Sequence, residues 1–411
     1  MSDWSRRHAM LGLLAAGVLP AAGLAASRDA PVRMAFIDPL SGPSADIGRN
    51  CLHSWQYMAR ELPARLGESV RLHVAGFDNK GSPQESLNAL KAAIDQGFRY
   101  IIQGNGSGVA AALSAAVGRH NARFPDRSVL FINYAAMDPA LTAERCSYWH
   151  FRIDADTAMK MRAMTRFMAD QPGLERVFLF NQNYAHGQQF ARHFDQESQA
   201  IGARLRVVGH VLHPPFGVGD FREYVQRIRA SGAQAVATGN WGRDLRLLIK
   251  AMQDEALWLP VFAYYPSLPG TPALLAGSGD RLPVYQVASS HGEHAGDLAS
   301  LARGFHQAYG EDLVVMQAYD GIRMLLHAMQ QVGTHDPMKV AARMEGMIFP
   351  GFDGPVAMRA DDHQLQKGVY ISRWQKVAGS GAEGTGYAFV PVRFLPADDI
   401  ASASRCHMER P

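Results

Sequence analysis

The chain has 411 residues, of which 47% are hydrophobic and 19% are charged, which is the composition of a globular protein with room for two or three domains. The formal net charge is only +3, and acidic and basic residues are mixed along the chain. Because nucleic-acid binding needs a clustered basic surface, the sequence argues against a nucleic-acid partner.

The first 26 residues predict a secretory signal peptide. Arg6 and Arg7 precede a nearly unbroken apolar stretch, and the small residues Ala25 and Ala26 follow it as a cleavage site. The stretch of about 15 residues is shorter than the roughly 20 that span a bilayer, so cleavage is favoured over an uncleaved anchor. The paired arginines leave twin-arginine export open beside the favoured Sec route. We therefore expect a soluble mature protein in the periplasm.

From residue 32 onward, short apolar runs alternate with amphipathic stretches, which predicts parallel strands covered by helices on both faces. In the first unit the predicted strands are 32–37, 70–78, 100–104 and 129–133, and the helices are near 48–62, from Ser82 and at 108–122. In the second unit the predicted strands are 176–181, 204–211, 235–240 and 260–265, and the helices are at 186–201, 219–230 and 245–253. Two similar units side by side suggest a cleft between them.

A third region begins with a predicted strand at 284–289 and is mostly helical. Helices are predicted at 298–310, 316–332 and 336–347. From residue 349, alternating polarity between turn residues predicts short antiparallel strands.

The loops of the predicted sheets lack the common catalytic motifs. Neither a dinucleotide-binding G-x-G-x-x-G nor a Walker loop is present, and Ser41 and Ser107 lack the G-x-S-x-G context of a hydrolase nucleophile. His291 and His294 are three residues apart, which is a weak metal signal against the alternative of a solvated loop. We therefore expect no catalytic residue, no metal and no cofactor.

Three loops share a position that suits a ligand. They begin at Ser41, Asn105 and Tyr134, each after the carboxyl end of a predicted parallel strand. Open α/β sheets bind ligands at that edge, where glycine amides and helix N-termini favour anions. These loops predict a receptor for a carboxylate, and the alternative is that they are only tight turns.

The order of several motifs resembles the periplasmic substrate-binding proteins of branched-chain amino-acid ABC importers. The motifs are PLSGPSADIG (39–48), IIQGNGSG (101–108), INYAAMDPALT (132–142), YWHFRIDADTAMKMRAM (148–164) and RVFLFNQNYAHGQ (176–188). The resemblance covers about 32–395 and implies an α/β fold of the type I periplasmic-binding class, with two Rossmann-like lobes, parallel sheets and a three-stranded hinge. The implied N-terminal lobe is 27–152 plus 284–352, the C-terminal lobe is 153–283 plus 353–398, and 399–411 forms a tail.

The same resemblance implies a ligand site in the cleft and no enzymatic activity. The residues it implies are Asn105, Gly106, Ser107, Ala135, Ala136, Met137, Tyr184 and Trp241. To these we add Ser41, from its position after the first strand, and Tyr264 and Tyr265, which this chain offers after the strand at 260–265. Relatives that bind α-amino acids place an acid after the strand that here leads into Tyr264, and this chain has none there. Since a buried ammonium group without a counter-charge is costly, we expect an aromatic or aliphatic carboxylate or an amide, with a branched-chain amino acid as the alternative. Asp38 is the one acid that could restore amine binding.

The chain has three cysteines, so the residues alone allow one disulfide and one spare thiol. The resemblance implies that Cys146 pairs with Cys406 and leaves Cys51 free.

The expected function is capture of a small solute for delivery to a membrane permease with its ATPase subunits, by a monomer. A periplasmic sensor for a membrane signalling protein and an exported serine hydrolase using Ser107 or Ser41 are the alternatives. The hydrolase requires a histidine and an acid within hydrogen-bond reach of the serine.

Overall fold

The structure is a computed structural model that describes residues 30–202 and 204–411. The predicted signal peptide at 1–26 lies outside the described residues. Within the described residues, no helix has both the length and the apolarity needed to cross a bilayer.

Strands and helices alternate along most of the chain. The strands are β1 Val32–Asp38, β2 Leu72–Asp78, β3 Tyr100–Gln103, β4 Leu130–Asn133, β5 His150–Arg152, β6 Arg176–Gln182, β7 Arg206–His213, β8 Ala235–Thr238, β9 Val261–Ala263, β10 Val284–Ala288, β11 Ile348–Gly351, β12 Gly354–Met358, β13 Leu365–Gln366, β14 Val369–Lys376 and β15 Tyr387–Leu395. The helices are α1 Ala45–Arg65, α2 Pro83–Asp95, α3 Ser107–Arg123, α4 Thr157–Ala169, α5 Ala185–Ala200, α6 Arg222–Ala230, α7 Gly242–Asp254, α8 Thr271–Ala276, α9 Gly296–Tyr309, α10 Gln317–Val332, α11 Pro337–Met344 and α12 Ala397–Ile400.

The first lobe is built on a parallel five-stranded sheet. Its strand order is β2-β1-β3-β4-β5, and each neighbouring pair runs parallel. β3 and β4 are buried along their whole length, as their continuous apolar runs predict. The strand order reverses direction between β1 and β3. Open α/β sheets hold ligands beside the carboxyl ends of the strands at such a reversal.

The second lobe is built on a seven-stranded sheet in the order β15-β14-β10-β9-β8-β6-β7. The strands from β10 to β7 pair in parallel, and β14 and β15 add antiparallel pairs at one edge. Here the order reverses between β6 and β8. Each lobe therefore offers one reversal point, and the predicted two-lobed α/β class is confirmed.

Helix starts follow local side-chain chemistry. Ser82 accepts a hydrogen bond from the Glu85 N–H at 3.4 Å, with Pro83 in the first turn of α2, as the sequence predicts. Asp156 caps α4 in the same way by accepting from the Met159 N–H at 2.8 Å.

The chain passes from one lobe to the other three times, and two of these crossings lie later than the predicted lobe boundaries. β10, assigned from sequence to the first lobe, completes the second sheet between β9 and β14 because its apolar run is buried there. β12 and β13, assigned to the second lobe, instead pair with β11, and Gln364 forms a bridge to Arg152 at the end of β5. The second crossing therefore lies between β10 and α9, and the third lies at 367–368, between β13 and β14.

The predicted disulfide is confirmed. Cys146 and Cys406 are joined by an S–S bond, with their Cα atoms 5.7 Å apart. Cys51 is a buried free thiol on α1. The bond attaches the C-terminal tail to the segment before β5, so the tail returns to the first lobe.

Candidate functional site

Two small cavities lie where the carboxyl ends of the two parallel sheets meet. Cavity A, of about 40 Å³, is lined by Gly104, Asn105, Gly106, Ser107, Ala135, Ala136, Met137, Tyr184, His186, Trp241, Tyr265 and Leu268. Cavity B, of about 70 Å³, has among its lining residues Cys51, Tyr134, Asp154, Lys160, Tyr264 and Gln286. Asn105, Ala135, Tyr265 and Leu268 line both, so the cavities adjoin.

The structure brings together all of the predicted site residues except Ser41. The predicted first-lobe loops, Asn105–Ser107 and Ala135–Met137, face Tyr184, Trp241 and Tyr265 of the second lobe around cavity A, and Tyr264 lines cavity B. Ser41 is exposed and lines neither cavity. It lies instead beside Asp78. Although burial alone would raise it, the pKa of the Asp78 carboxyl is held below its usual value by Ser41 and by the backbone N–H groups of Leu40 and Lys80. The strand-end rule placed Ser41 at the right edge of the sheet, but the loop turns its side chain toward β2.

The loop after β3 needs glycine. A Cβ on Gly104 would lie 2.6 Å from Cζ of Tyr134, so no larger residue fits without displacing that ring. Gly106 has φ +101 and precedes α3. The Ser107 hydroxyl accepts from the Asp138 N–H at 3.3 Å, and among the described residues no hydrogen bond joins Ser107 to a histidine. The loop thus presents backbone and an amide side chain to the cavities.

The loop after β4 is held by Asn133. Its Oδ1 accepts from the N–H groups of Ala135 at 3.2 Å and Ala136 at 2.8 Å, and its Nδ2 donates to the Ala136 carbonyl at 2.9 Å. The strand-end position of this loop predicted that it would help to bind a carboxylate, but the N–H groups of Ala135 and Ala136 already have a partner within the lobe. They shape the wall of cavity A.

Asp38 supports the first-lobe loop from behind. Its carboxylate accepts from Tyr134 Oη at 2.5 Å, from the Asn105 N–H at 3.0 Å and from the Gly104 N–H at 3.3 Å. Burial raises the pKa of Asp38 to about 7, although these hydrogen bonds act to lower it. Asp38 lines neither cavity, so it does not offer the counter-charge for an amine that the sequence left open.

Aromatic side chains of the second lobe form the opposite wall. Trp241 Nε1 donates to Tyr184 Oη at 3.0 Å, and the Trp241 ring meets that of Phe216 edge-on at 5.2 Å. Tyr265 Oη reaches across the cleft to Met137 Sδ at 3.2 Å. Arg246 on α7 also lies 3.5 Å from Asp46 on α1. The two lobes therefore contact each other, as in a closed clamp.

Sequence reasoning missed several polar residues at the cavities, among them two charged side chains and a histidine. Asp154 and Lys160 form a buried ion pair, with Nζ 2.6 Å from Oδ2, and line cavity B. His186 lines cavity A and its Nε2 lies 3.1 Å from the Gly239 carbonyl oxygen, which can only accept, so Nε2 carries the proton. Burial lowers the pKa of His186 to about 4, which keeps the ring neutral at neutral pH. The one sequence signal was a lysine on the otherwise buried Met-rich face of α4.

The histidines that could have suggested a metal lie elsewhere. His291 and His294 line a wider crevice of about 690 Å³ next to the loop 377–382, with ring centroids 6.1 Å apart. Burial lowers the pKa of His294 to about 4. Within the described residues, no group of three or more His, Cys, Asp or Glu side chains is arranged to hold a metal ion.

Comparisons with known proteins agree on the kind of protein. A family model described as periplasmic binding protein matches residues 31–382. The Leu/Ile/Val-binding protein homolog 4 of Brucella melitensis is 28% identical over 414 residues and covers 97% of each chain.

Solved structures share the fold. The leucine-, isoleucine-, valine-, threonine- and alanine-binding protein of Brucella ovis, in its closed conformation, superposes with a TM-score of 0.80 and 27% identity over 93% of this chain and 100% of that one. A solute-binding protein of an ABC transporter from Rhodopseudomonas palustris, in complex with 3,4-dihydroxybenzoic acid, gives a TM-score of 0.74 at 19% identity over 89% of this chain and 98% of that one.

Proposed function

The chain belongs to the periplasmic binding protein family, and from that premise we propose that it is the solute receptor of an ABC importer, capturing a small carboxylate or amide solute between its lobes. It is exported to the periplasm, acts as a monomer without catalysis, and delivers the solute to a membrane permease with its ATPase subunits. The observation that carries the proposal is the pair of adjoining cavities lined jointly by the strand-end loops of both lobes.

The chemistry of the lining favours a ligand with hydrogen-bond acceptors. The buried side-chain atoms without a partner among the described lining residues are Asn105 Nδ2 and Tyr264 Oη, and both can donate. The helices α3, α5 and α7 begin at or directly after the lining residues Ser107, Tyr184 and Trp241, so three helix N-termini approach the cleft. Helix N-termini stabilise negative charge, which suits a carboxylate.

The shape of the lining favours an apolar body on the ligand. Tyr184, Trp241 and Tyr265 offer flat faces that suit an aromatic or aliphatic group. The similar fold from Rhodopseudomonas palustris binds a dihydroxybenzoic acid, whereas the Brucella relatives are named for branched-chain amino acids. An aromatic or aliphatic acid therefore leads the ligand list, and an amide or a branched-chain amino acid follows.

Calorimetric titration of ligand-free, refolded protein tests the proposal. The panel is benzoate, 4-hydroxybenzoate, isovalerate, benzamide and leucine, and small-angle scattering records whether the lobes close. We expect saturable binding of at least one acid or amide, with a fall in the radius of gyration. Tight binding of leucine with none of the acids or amides would contradict the favoured ligand class. No binding across the panel, with no small solute copurifying in native mass spectrometry, would contradict the receptor function.

A further inference from the structure

The ion pair between Lys160 and Asp154 lies in cavity B at the place where the lobes are joined. Asp154 belongs to the first chain crossing, directly after β5, and Lys160 is on the first turn of α4 in the second lobe. Both side chains are 2% exposed, and Nζ is 2.6 Å from Oδ2. Burying an ion pair carries a large desolvation cost. If this position only had to be packed, apolar residues of similar volume would be at least as stabilising.

Asp154 is held from several sides and has little capacity left for a ligand. Its Oδ1 accepts from the Ser289 hydroxyl on the second crossing and from the Ala155 N–H at 2.9 Å. Its Oδ2 accepts from Lys160, and its backbone carbonyl accepts from Gln364 Nε2 at 2.9 Å. Although burial alone would raise it, the charge and hydrogen bond of Lys160 hold the pKa of Asp154 below its usual value, so the carboxylate is ionised.

Lys160 has capacity that Asp154 lacks. An ammonium group has three N–H donors, and among the described residues its hydrogen bond goes to Asp154 alone. The Nζ atom lies 5.8 Å and 5.6 Å from the ring centroids of Tyr264 and Tyr265, which border the same cavity. Tyr264 is 1% exposed, and its hydroxyl has no hydrogen-bond partner in the described part of the chain. The positive charge of Lys160 and the unpaired hydroxyl of Tyr264 therefore both lie at cavity B.

Asn105 connects this charged end to the aromatic end of the site. It lines both cavities, and its Nδ2 also lacks a hydrogen-bond partner within residues 30–202 and 204–411. One ligand can therefore place an acceptor group among Asn105, Tyr264 and Lys160 while its apolar body extends toward Trp241. A site that bound its ligand only through uncharged donors and aromatic rings would not need a buried lysine at this position.

We propose that Lys160 is the cationic anchor of the binding site and pairs with the carboxylate of a monoanionic solute that lacks an ammonium group. Asp154 is a positioning residue that fixes the Lys160 ammonium at the hinge. The inference rests on the proposed receptor function and narrows its ligand to an acid such as an aryl or alkyl carboxylate. An α-amino acid fits poorly, because Asp154 has no more than one acceptor position left for its ammonium group.

The test compares benzoate with benzamide, which has the same ring without the charge. In Lys160→Gln we expect benzoate affinity to fall roughly 10- to 100-fold, while benzamide affinity changes by less than about threefold. The double variant Lys160→Gln/Asp154→Asn buries no unpaired charge, so it guards against misfolding and is expected to show the same selective loss. Lys91→Gln, an exposed lysine on α2, is the matched control and should bind benzoate as the unmodified chain does.

Each outcome bears on a different statement. A folded double variant that binds benzoate as tightly as the unmodified protein overturns the role of Lys160 and leaves the receptor function standing. Preference for leucine that disappears in Asp154→Asn overturns the inference in favour of an ammonium site. If the unmodified protein binds none of the acids and amides of the titration panel, the inference fails together with the proposed ligand class.

Discussion

Tyr134 Oη donates a 2.5 Å hydrogen bond to Asp38 Oδ2, and both residues are buried beneath the loop that presents Asn105 to the cavities. Tyr134 and Cys51 both line cavity B. A chain of polar contacts therefore runs from the cavity wall to the carboxylate that accepts from the loop. The position of the loop therefore depends on Asp38, which lines neither cavity.

The stability of the protein should depend on pH through Asp38. Its pKa is raised from 3.8 to about 7 in the folded state, so between these values the folded chain holds more protons than the unfolded one. The free energy of unfolding should therefore fall as pH rises from about 4 to about 7. Relative to the unmodified chain, Asp38→Asn should gain roughly 2 kcal/mol between about pH 5 and about pH 8.

Urea unfolding of both proteins across that range provides the measurement, and the difference between them removes the contribution of the buried histidines. Equal pH dependence in the two proteins would show that Asp38 is not protonated on folding. Tyr134→Phe is a control that removes the shortest hydrogen bond to Asp38 and leaves its carboxyl group in place.

Gly104→Ala should disturb the loop after β3. The new Cβ would lie 2.6 Å from a ring carbon of Tyr134, and both groups are fixed, so we expect a loss of stability of about 1–3 kcal/mol and weaker ligand binding. Gly108→Ala on α3 is the matched control, because a Cβ there meets nothing within 4 Å. It should be neutral or stabilising by up to about 1 kcal/mol. Thermal unfolding distinguishes the two, and a Gly104→Ala protein as stable as the control would contradict the tight approach.

Trp241 should contribute to binding through both its ring and its N–H group. Trp241→Ala is expected to weaken binding of the identified ligand by more than about fivefold, because a large part of the aromatic wall is lost. Trp241→Phe keeps a ring but removes the donor to Tyr184, so a smaller loss is expected. Calorimetry ranks the three proteins, and unchanged affinity in Trp241→Ala would place the ligand elsewhere.

The disulfide should be the main covalent contribution to stability. Replacing Cys146 and Cys406 together by serine should lower the free energy of unfolding by about 2–5 kcal/mol. Urea unfolding of the variant and the unmodified protein measures the loss of stability.

In the unmodified protein Cys51 should resist thiol reagents until the chain unfolds, since burial raises its pKa to about 12. Peptide mapping after treatment with a thiol reagent checks Cys51, and a Cys51 peptide that reacts in the native state would contradict this prediction.

The sequence predicted the sheets well because their strands are buried on both faces and their helices begin at recognisable caps. β3 and β4 have no polar face to confuse the pattern, and Ser82 caps α2 where expected. The short strands β12 and β13 were harder. Their alternating polarity predicts a strand, but the partner of a strand depends on contacts distant in sequence.

At the site, the strand-end rule found the loops but not the buried charges. It located the Asn105 loop, and the family resemblance added Tyr184 and Trp241; each of the three residues lies within three positions of the end of a parallel strand. Lys160 follows no strand, and only the packing of α4 against the hinge places it in a cavity. Asp38 follows a strand, yet its side chain turns inward to Tyr134, which the order of residues does not reveal.

The C-terminal tail adds a fourth connection between the lobes. Ile400 is buried in the core of the second lobe, and six residues later Cys406 is bonded to the first lobe. An extended chain of that length spans at most about 22 Å. Together with the 5.7 Å between the Cα atoms of the disulfide, that span limits the separation of Ile400 and Cys146 to about 28 Å in any open state, so the range of lobe rotation is bounded covalently as long as the compartment keeps the two sulfurs oxidised.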